Sequence, residues 1–448
     1  MFVFLQQMAW HIVRLLMVFA MDTFYKRLAI KNRKHLTVKG PVILAINHPN
    51  AFMDPSMISY VAYPPKFYFL ARGDVFKPGI ATFVFESLGI APIFRMRDGG
   101  KEGLMKNEET YQRVYKLLAK NKKVMIFAEG LCVQERRLRP LKKGVPRMVF
   151  NAMEEINRPD LTVVPVGVNY TNPKKFRSHL FFNIGEPIRV ADFMEEYKAQ
   201  PARTLNTFLK VLEPKMKELI VHIDNPKNDN LVGWLEELFL RDWCKKRRWN
   251  YKNLDHELKM SQQITAMVNV ADVENKSVID ELNEKCKTYF KNLNKLKIRD
   301  WLVNPHHKSK VSWLHFFVRT ILLIVFSPLW IRGLIGNYLP YKASEKITDK
   351  IVRNVEFHSS FNMAIGSILT WIYYGIQFYV VNKLTGNIGW AGLAVVVSFF
   401  TGKFVLYYYP FLQKTLGLFR ALTNQQKMKA LKAERDEIYN LVAQINKN

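Results

Sequence analysis

The sequence predicts an α/β domain with a mostly parallel sheet flanked by helices, followed by a helical region and C-terminal membrane helices. Three observations carry this. Between residues 35 and 190, short apolar runs rich in β-branched and aromatic residues alternate with longer helical patterns, the signature of βαβ units. From 191 to 310 strand signals stop and charged helical runs take over. Beyond 312, three apolar runs with little amphipathicity follow one another, and their lengths match bilayer spans.

In order along the chain, residues 2–21 form an apolar helix broken only by Gln6, Gln7, His11 and Arg14. At 1.5 Å per residue it reaches about 30 Å, enough to span a bilayer. Trp10 and the polar residues equally permit a helix lying in the interface, which is the reading favoured here. The segment lacks the basic start and small-residue cleavage site of a secretory signal. The runs "PVILAIN", "KFYFLA", "IAPIFR", "KVMIFA", "LTVVPVGVNY" and "HLFFNIG" read as strands. "MDPSMISYVAY", "IATFVFESL", "NEETYQRVYKLLAK" and "GVPRMVFNAMEEI" read as the helices between them. In a sheet of this kind, function sits in loops at the carboxyl ends of strands.

The helical region holds "ARTLNTFLKVLEPKMKELIVHI" and "VENKSVIDELNEKCKTYFKNLNKL", together with the basic runs "CKKRRWN" and "HHKSK". These basic runs serve as solvated helix faces or as contacts to anionic lipid. Of the apolar runs, 361–381 and 388–409 are joined by "NKLTGN" and are expected to form a hairpin. Residues 313–331, with Pro328 and Gly333 near the end, fit a re-entrant or interfacial helix. The resulting segments are 1–30, an N-terminal membrane-associated helix; 31–195, the α/β domain; 196–311, helical; 312–410, membrane-embedded; and 411–448, a basic helical tail.

The net charge of +29 points to an anionic partner: nucleic acid, an anionic membrane surface or phosphorylated substrates. Nucleic acid is disfavoured, because the chain carries apolar spans and no recognisable nucleic-acid motif. Cys132, Cys244 and Cys286 are scattered without metal-ligand spacing, which argues against a zinc site and a disulfide framework. No metal or cofactor is expected.

The candidate chemistry begins at "INHPNAFMDP" (46–55), with His48 and Asp54. A His–Asp pair alone is a weak signal. It gains weight from three later blocks. "GIAPIFRMRDGG" (89–100) brings Arg95 and Arg97 to a strand end, "FAEGLCVQERRLRPLKKG" (127–144) supplies Glu129, Gly130 and a crowd of cations, and "VVPVGVNY" (163–170) contains Pro165 and Gly167. At successive strand ends of one sheet these blocks converge. A hydroxyl is a poor nucleophile until a base removes its proton; histidine suits that task near neutral pH, and a carboxylate on its other nitrogen fixes the tautomer. Arginine holds phosphate through its bidentate fork. Among other residues, Cys132 reads as a small buried loop residue rather than an acyl-accepting nucleophile. Arg136, Arg137, Arg139, Lys142 and Lys143 form either a phosphate or headgroup patch or a solvated surface. His306 and His307 read as solvated linker residues.

The four blocks, in this order and spacing, resemble the glycerolipid acyltransferase superfamily, which holds the glycerol-3-phosphate and lysophosphatidic acid acyltransferases. "NHPNAFMDP" resembles its His–Asp block. "GIAPIFR" resembles the second, whose arginine helps bind substrate phosphate and falls at Arg95. "FAEG" resembles the third, usually Phe-Pro-Glu-Gly, implying Glu129 and Gly130 in the glycerophosphate site. "VPVG" resembles the fourth, with Pro165 near the acyl site. The run "VNYTNPKKFRSHLFFNIGEPI" is similar to the large-enzyme branch. Two departures stand out. Five residues separate His48 from Asp54, where the family commonly has four, so the turn must absorb one more; and Ala128 replaces the proline of the third block. The resemblance implies a membrane acyltransferase of phospholipid synthesis with its α/β domain on the cytoplasmic face. It would use an acyl thioester donor, acyl-CoA or acyl-carrier protein, as co-substrate, and a phosphate-bearing glycerolipid acceptor, lysophosphatidic acid or glycerol 3-phosphate. The rival reading is a catalytically silent relative that tethers to the phospholipid membrane.

Overall fold

The structure, a computed structural model, describes residues 2–61, 66–73, 89–93, 96–306 and 311–445. It divides into two compact units. The first is Met1–His222 with Val352–Ser360; the second is Ile223–Ile351 with Phe361–Asn448.

Among the described residues, the first unit is built on one eight-stranded sheet. Its strands are β1 Arg27–Lys31, β2 Val42–Ile46, β3 Phe67–Arg72, β4 Ile90–Ile93, β5 Lys123–Phe127, β6 Thr162–Tyr170, β7 His179–Ile184 and β8 Ile188–Arg189. The strand order is β1-β7-β6-β2-β5-β3-β4, with β8 paired to β6. β2 runs parallel to β5 and β6, β3 to β4 and β5, and β1 to β7; only β6 meets β7 and β8 antiparallel. The mostly parallel sheet is therefore present. β2 is buried at every position, as a strand covered on both faces must be. β1 was not legible as a strand. "RLAIK" is a half-buried edge segment directly after a long apolar helix, too short for its period to register.

The helices of this unit are α1 Phe2–Phe24, α2 Met53–Val61, α3 Met96–Ala119, α4 Gly144–Ile156, α5 Met194–Ala199 and α6 Pro201–Lys217. The helix expected at "IATFVFESL" lies outside the described residues. α4 shows why such segments are helical: Val145, Met148, Val149, Ala152 and Met153 repeat at helical spacing and are all buried. The helix closes on Asn157 at φ 46°, a left-handed position asparagine tolerates. Val114 and Leu118 of α3, Val149 and Ala152 of α4 and Phe208 and Leu212 of α6 pack on Ile43, Val124 and Val163 of the sheet. α1 buries Trp10, Met21 and Phe24, yet exposes Met8, Ile12, Leu15, Leu16 and Phe19. That spacing is one continuous apolar face on the opposite side of the helix.

The second unit is helical: α7 Asp229–Leu235, a π-helical turn Glu236–Leu240, α8 Arg241–Lys246, α9 Leu254–Glu274, α10 Lys276–Lys295, α11 Trp313–Ile351, α12 Val355–Thr385, α13 Ile388–Thr423 and α14 Gln425–Ile445. The run "VENKSVIDELNEKCKTYFKNLNKL" is split at Asn275, whose non-helical backbone ends α9 and begins α10. Arg435 of α14 reaches the buried Asp300 at 2.9 Å, and Asp300 also accepts from Tyr289 of α10 at 2.7 Å.

α11, α12 and α13 are long and apolar enough to cross a membrane. The helix expected over 313–331 as a re-entrant or interfacial segment is longer than that; α11 continues through both Pro328 and Pro340 to Ile351. α12 and α13 are joined by the short link at Gly386 and Asn387, and Ser398 of α13 donates to Gln377 of α12 at 2.6 Å. α13 lies antiparallel along α11, with Arg319 bonding Thr415, Tyr408 bonding the Leu323 carbonyl and Asn337 bonding the Ser398 carbonyl. The reason is steric. A Cβ at Gly333 would stand 2.5 Å from the Thr401 carbonyl oxygen, so these backbones approach closer than side chains allow.

Candidate active site

The site forms where β6, β2 and β5 end side by side. Ile46 pairs with Phe127 on one flank and Val166 on the other, so the residues following β2 emerge between two loops. Asn47 pins the exit: its side chain exchanges hydrogen bonds with the backbone of Val168, at 2.7 and 3.1 Å. The chain then turns at Asn50, and the Asp54 amide donates to the Asn50 carbonyl at 3.0 Å. This helical turn opens α2, absorbs the additional residue and brings Asp54 back beneath His48.

His48 Nδ1 stands 2.9 Å from Asp54 Oδ2. A buried carboxylate only accepts, so Nδ1 carries the proton and Nε2 is the nitrogen left to take one. The same Oδ2 accepts from the Asn50 amide at 2.9 Å, and Oδ1 accepts from the Tyr170 hydroxyl at 2.6 Å. Asp54 is 1 % exposed. Burial pushes its carboxyl pKa up, and hydrogen bonds from His48, Tyr170 and Asn50 oppose that. Burial also drives Tyr170 and the adjacent Tyr25 well above the usual phenol range, so both remain neutral. The imidazole stacks on the Phe127 ring, with centroids 3.6 Å apart and planes at 15°. Ring position, tautomer and carboxylate orientation are thus each fixed by a separate contact.

Glu129 follows β5 and is buried, with Oε1 accepting from the His48 amide at 3.2 Å. Burial raises its pKa to about 7, against backbone hydrogen bonds from His48 and Arg139. Gly130 takes φ +65°, which turns the chain sharply out of the strand; a Cβ there would meet Lys142 at 3.2 Å. The structure therefore brings His48, Asp54, Glu129 and Gly130 together. Pro165 sits inside β6 opposite Ala45, its carbonyl accepting from Gly185, before the strand reaches the site at Tyr170. Arg95 lies outside the described residues. Arg97 lies in the first turn of α3, where the backbone alone is described. Among the described residues, no three His, Cys, Asp or Glu side chains are grouped to hold a metal ion.

A family model described as acyltransferase matches residues 27–169. The matched stretch is about a third of the chain and spans β1 to β6. The match begins on β1 and closes one residue before Tyr170, so it contains His48, Asp54, Glu129 and Pro165. The chain is similar to glycerol-3-phosphate O-acyltransferase 1 of Saccharomyces cerevisiae, 39% identical over 80 residues, which is 18% of this chain and 10% of that protein. It is also similar to glycerol-3-phosphate O-acyltransferase 2 of the same yeast, 37% identical over 105 residues, 23% of this chain and 14% of that protein. The aligned stretches are thus a small part of these relatives' length. Among solved structures, it is similar to a 1-acyl-sn-glycerophosphate acyltransferase from Thermotoga maritima, with TM-score 0.34 and 14% identity, covering 47% of this chain and 79% of that one.

Around the candidate site, two further groups can be placed. Burial pushes the Cys132 thiol far above its usual range, so it stays protonated and is a poor nucleophile. Of the cations after Glu129, Arg139 is held by Glu135 at 3.1 and 3.2 Å, so the patch is partly paired within itself. Sequence reasoning missed Asn50, Phe127 and Tyr170 as members of the site. Asn50 lies inside the quoted His–Asp block, and Phe127 and Tyr170 occupy the last positions of strands already read, so register at the strand ends was the available signal.

Proposed function

We propose that the protein is a membrane glycerolipid O-acyltransferase. It moves a fatty acyl chain from a thioester, acyl-CoA or acyl-carrier protein, to a hydroxyl of glycerol 3-phosphate or lysophosphatidic acid. The observation that carries this is the 2.9 Å His48–Asp54 pair at the ends of three adjacent strands, with its carboxylate held on both oxygens. The acceptor hydroxyl gives its proton to His48 Nε2 as its oxygen attacks the thioester carbonyl. Asp54 stabilises the imidazolium that forms. The C–S bond then breaks, and the departing thiolate takes the proton from His48. Glu129 and Gly130 shape the acceptor site beside the base. Arg95, from its place in the block "GIAPIFR", anchors the acceptor phosphate, with Arg97 near it. Pro165 borders the acyl chain.

Membrane association is supported by α11, α12 and α13 and by the exposed apolar face of α1. On this reading α1 lies in the interface, with that face in lipid, and the catalytic domain is on the cytoplasmic side. The test is thiol release by the purified full chain, with acyl-CoA and acyl-carrier-protein donors against a panel of acceptors. Release that depends on glycerol 3-phosphate or lysophosphatidic acid is expected. A folded protein that releases no thiol with any pair would instead be a lipid-binding tether.

A further inference from the structure

Residues 352–360 make an unusual excursion. The chain on both sides of them belongs to the second unit, yet these nine residues pack as part of the acyltransferase unit. They are the link after α11 and the opening turns of α12. Their contacts converge on the two loops that build the site. The Ser359 hydroxyl, fully buried, donates to Asn50 Oδ1 at 2.9 Å. Phe357 meets Phe52 edge to face, with centroids 5.5 Å apart. The Val355 carbonyl accepts from Gln134 Nε2 at 3.1 Å. Asn50 and Phe52 lie between His48 and Asp54, and Gln134 lies in the loop after Glu129.

Asn50 is the node of this arrangement. Its amide holds Asp54 Oδ2, its Nδ2 donates to the Pro173 carbonyl at 3.1 Å, and its Oδ1 receives Ser359. One fully buried side chain thus ties the base's turn, the loop after β6 and the 352–360 link. A buried amide whose acceptor loses its donor must find another partner or move. Its own amide is one of two groups orienting Asp54 through Oδ2, so a shift at Asn50 reaches the His48–Asp54 pair directly.

We propose that residues 352–360 are a strap over the His48–Asp54 turn, with Ser359 a positioning residue that acts through Asn50. This rests on the acyltransferase reading for its kinetic consequence, though not for its structural one. The strap supplies nothing to the reaction itself; it sets the geometry of the groups that do.

The experiment compares the full chain with Ser359→Ala, Asn50→Ala and the double variant, with Ser367→Ala as a control that removes another hydroxyl from α12. Hydrogen exchange read by mass spectrometry is expected to speed up several-fold for Ser359→Ala in peptides covering residues 46–56. Peptides from the sheet and the Ser367→Ala control are expected to stay unchanged. In acyl transfer, Ser359→Ala should lower kcat by roughly tenfold with KM for the thioester retained, a loss of about 1.4 kcal/mol. Adding it to Asn50→Ala should cost little more, as expected of residues acting in series. Unchanged exchange at 46–56, or loosening spread across the whole unit with additive losses, overturns the strap. If the parent chain transfers no acyl group while Ser359→Ala still loosens residues 46–56, the strap stands and the acyltransferase reading falls.

Discussion

Asp54 is held by three donors and His48 by a carboxylate and an aromatic face, so each residue's removal has its own expected signature. His48→Ala should reduce turnover by about 10²–10⁴-fold, the usual contribution of a general base, with the chain folded and membrane-bound. Near-normal turnover would remove His48 from the mechanism. Tyr170→Phe takes away one donor to a buried carboxylate, a change of about 1–3 kcal/mol. It should lower kcat more than it alters KM; an unchanged kcat would show that Asn50 and His48 suffice. Glu129 gives a pH signature. Its folded pKa of about 7 lies above the ordinary 4.5, so the folded chain holds a proton there that the unfolded chain releases. Stability is therefore fullest below the ordinary value and declines as pH rises through the folded one, by on the order of 3 kcal/mol. Glu129→Gln should flatten thermal stability across that window in detergent, and an unaltered slope would refute the assignment. That His48, Asp54 and Glu129 come together was foreseeable, because each sits in a short local block at a strand end of one sheet. Tyr170 and Ser359 were not, because what makes them matter is a partner 116 or 309 residues away, and distance in sequence carries no period.

Elements were legible where burial imposes a repeat. β2 and α4 declare themselves by unbroken or helical apolar spacing, whereas β1 is short and half buried, and α11 runs on past Pro328, near which its end was expected, and past Pro340. A proline removes one hydrogen bond and crowds the preceding turn, but in an apolar setting neighbouring helices re-satisfy the freed groups, and α13 lies along α11 through that stretch. Gly333 is the contact that permits this. Gly333→Leu would drive side-chain atoms into the Thr401 backbone, and overpacking of this kind costs about 1–3 kcal/mol or more. A lowered unfolding temperature in detergent is expected; an unchanged one would mean the two helices part without penalty. For α1, nitroxide labels at Leu15 and Phe19 of the reconstituted protein should be accessible to oxygen and shielded from a water-soluble relaxer. The reverse pattern would rule out a lipid-facing helix.

For the molecule as a whole, the excess of 67 Lys and Arg over 38 Asp and Glu sets the field a membrane surface meets. Each basic residue near an anionic leaflet contributes about 1 kcal/mol, and at about 1 M salt the screening length shrinks to about 3 Å. Activity in nanodiscs should therefore rise with anionic lipid content, and the rise should vanish in high salt. Equal activity in neutral and anionic discs would assign the charge another purpose.

The excursion of residues 352–360 also imposes an order on synthesis. The first unit cannot be finished when its sheet is finished, because more than a hundred residues of the second unit are made before the strap emerges. At about 5–20 residues per second that interval is on the order of ten seconds. Through it, Asn50 and Phe52 await their partners while α11, a helix long and apolar enough to enter a bilayer, is leaving the ribosome. A nascent chain arrested before Val352 should carry a formed sheet and an unfinished His48–Asp54 turn, so the proposed active geometry is completed only after α11 has been made.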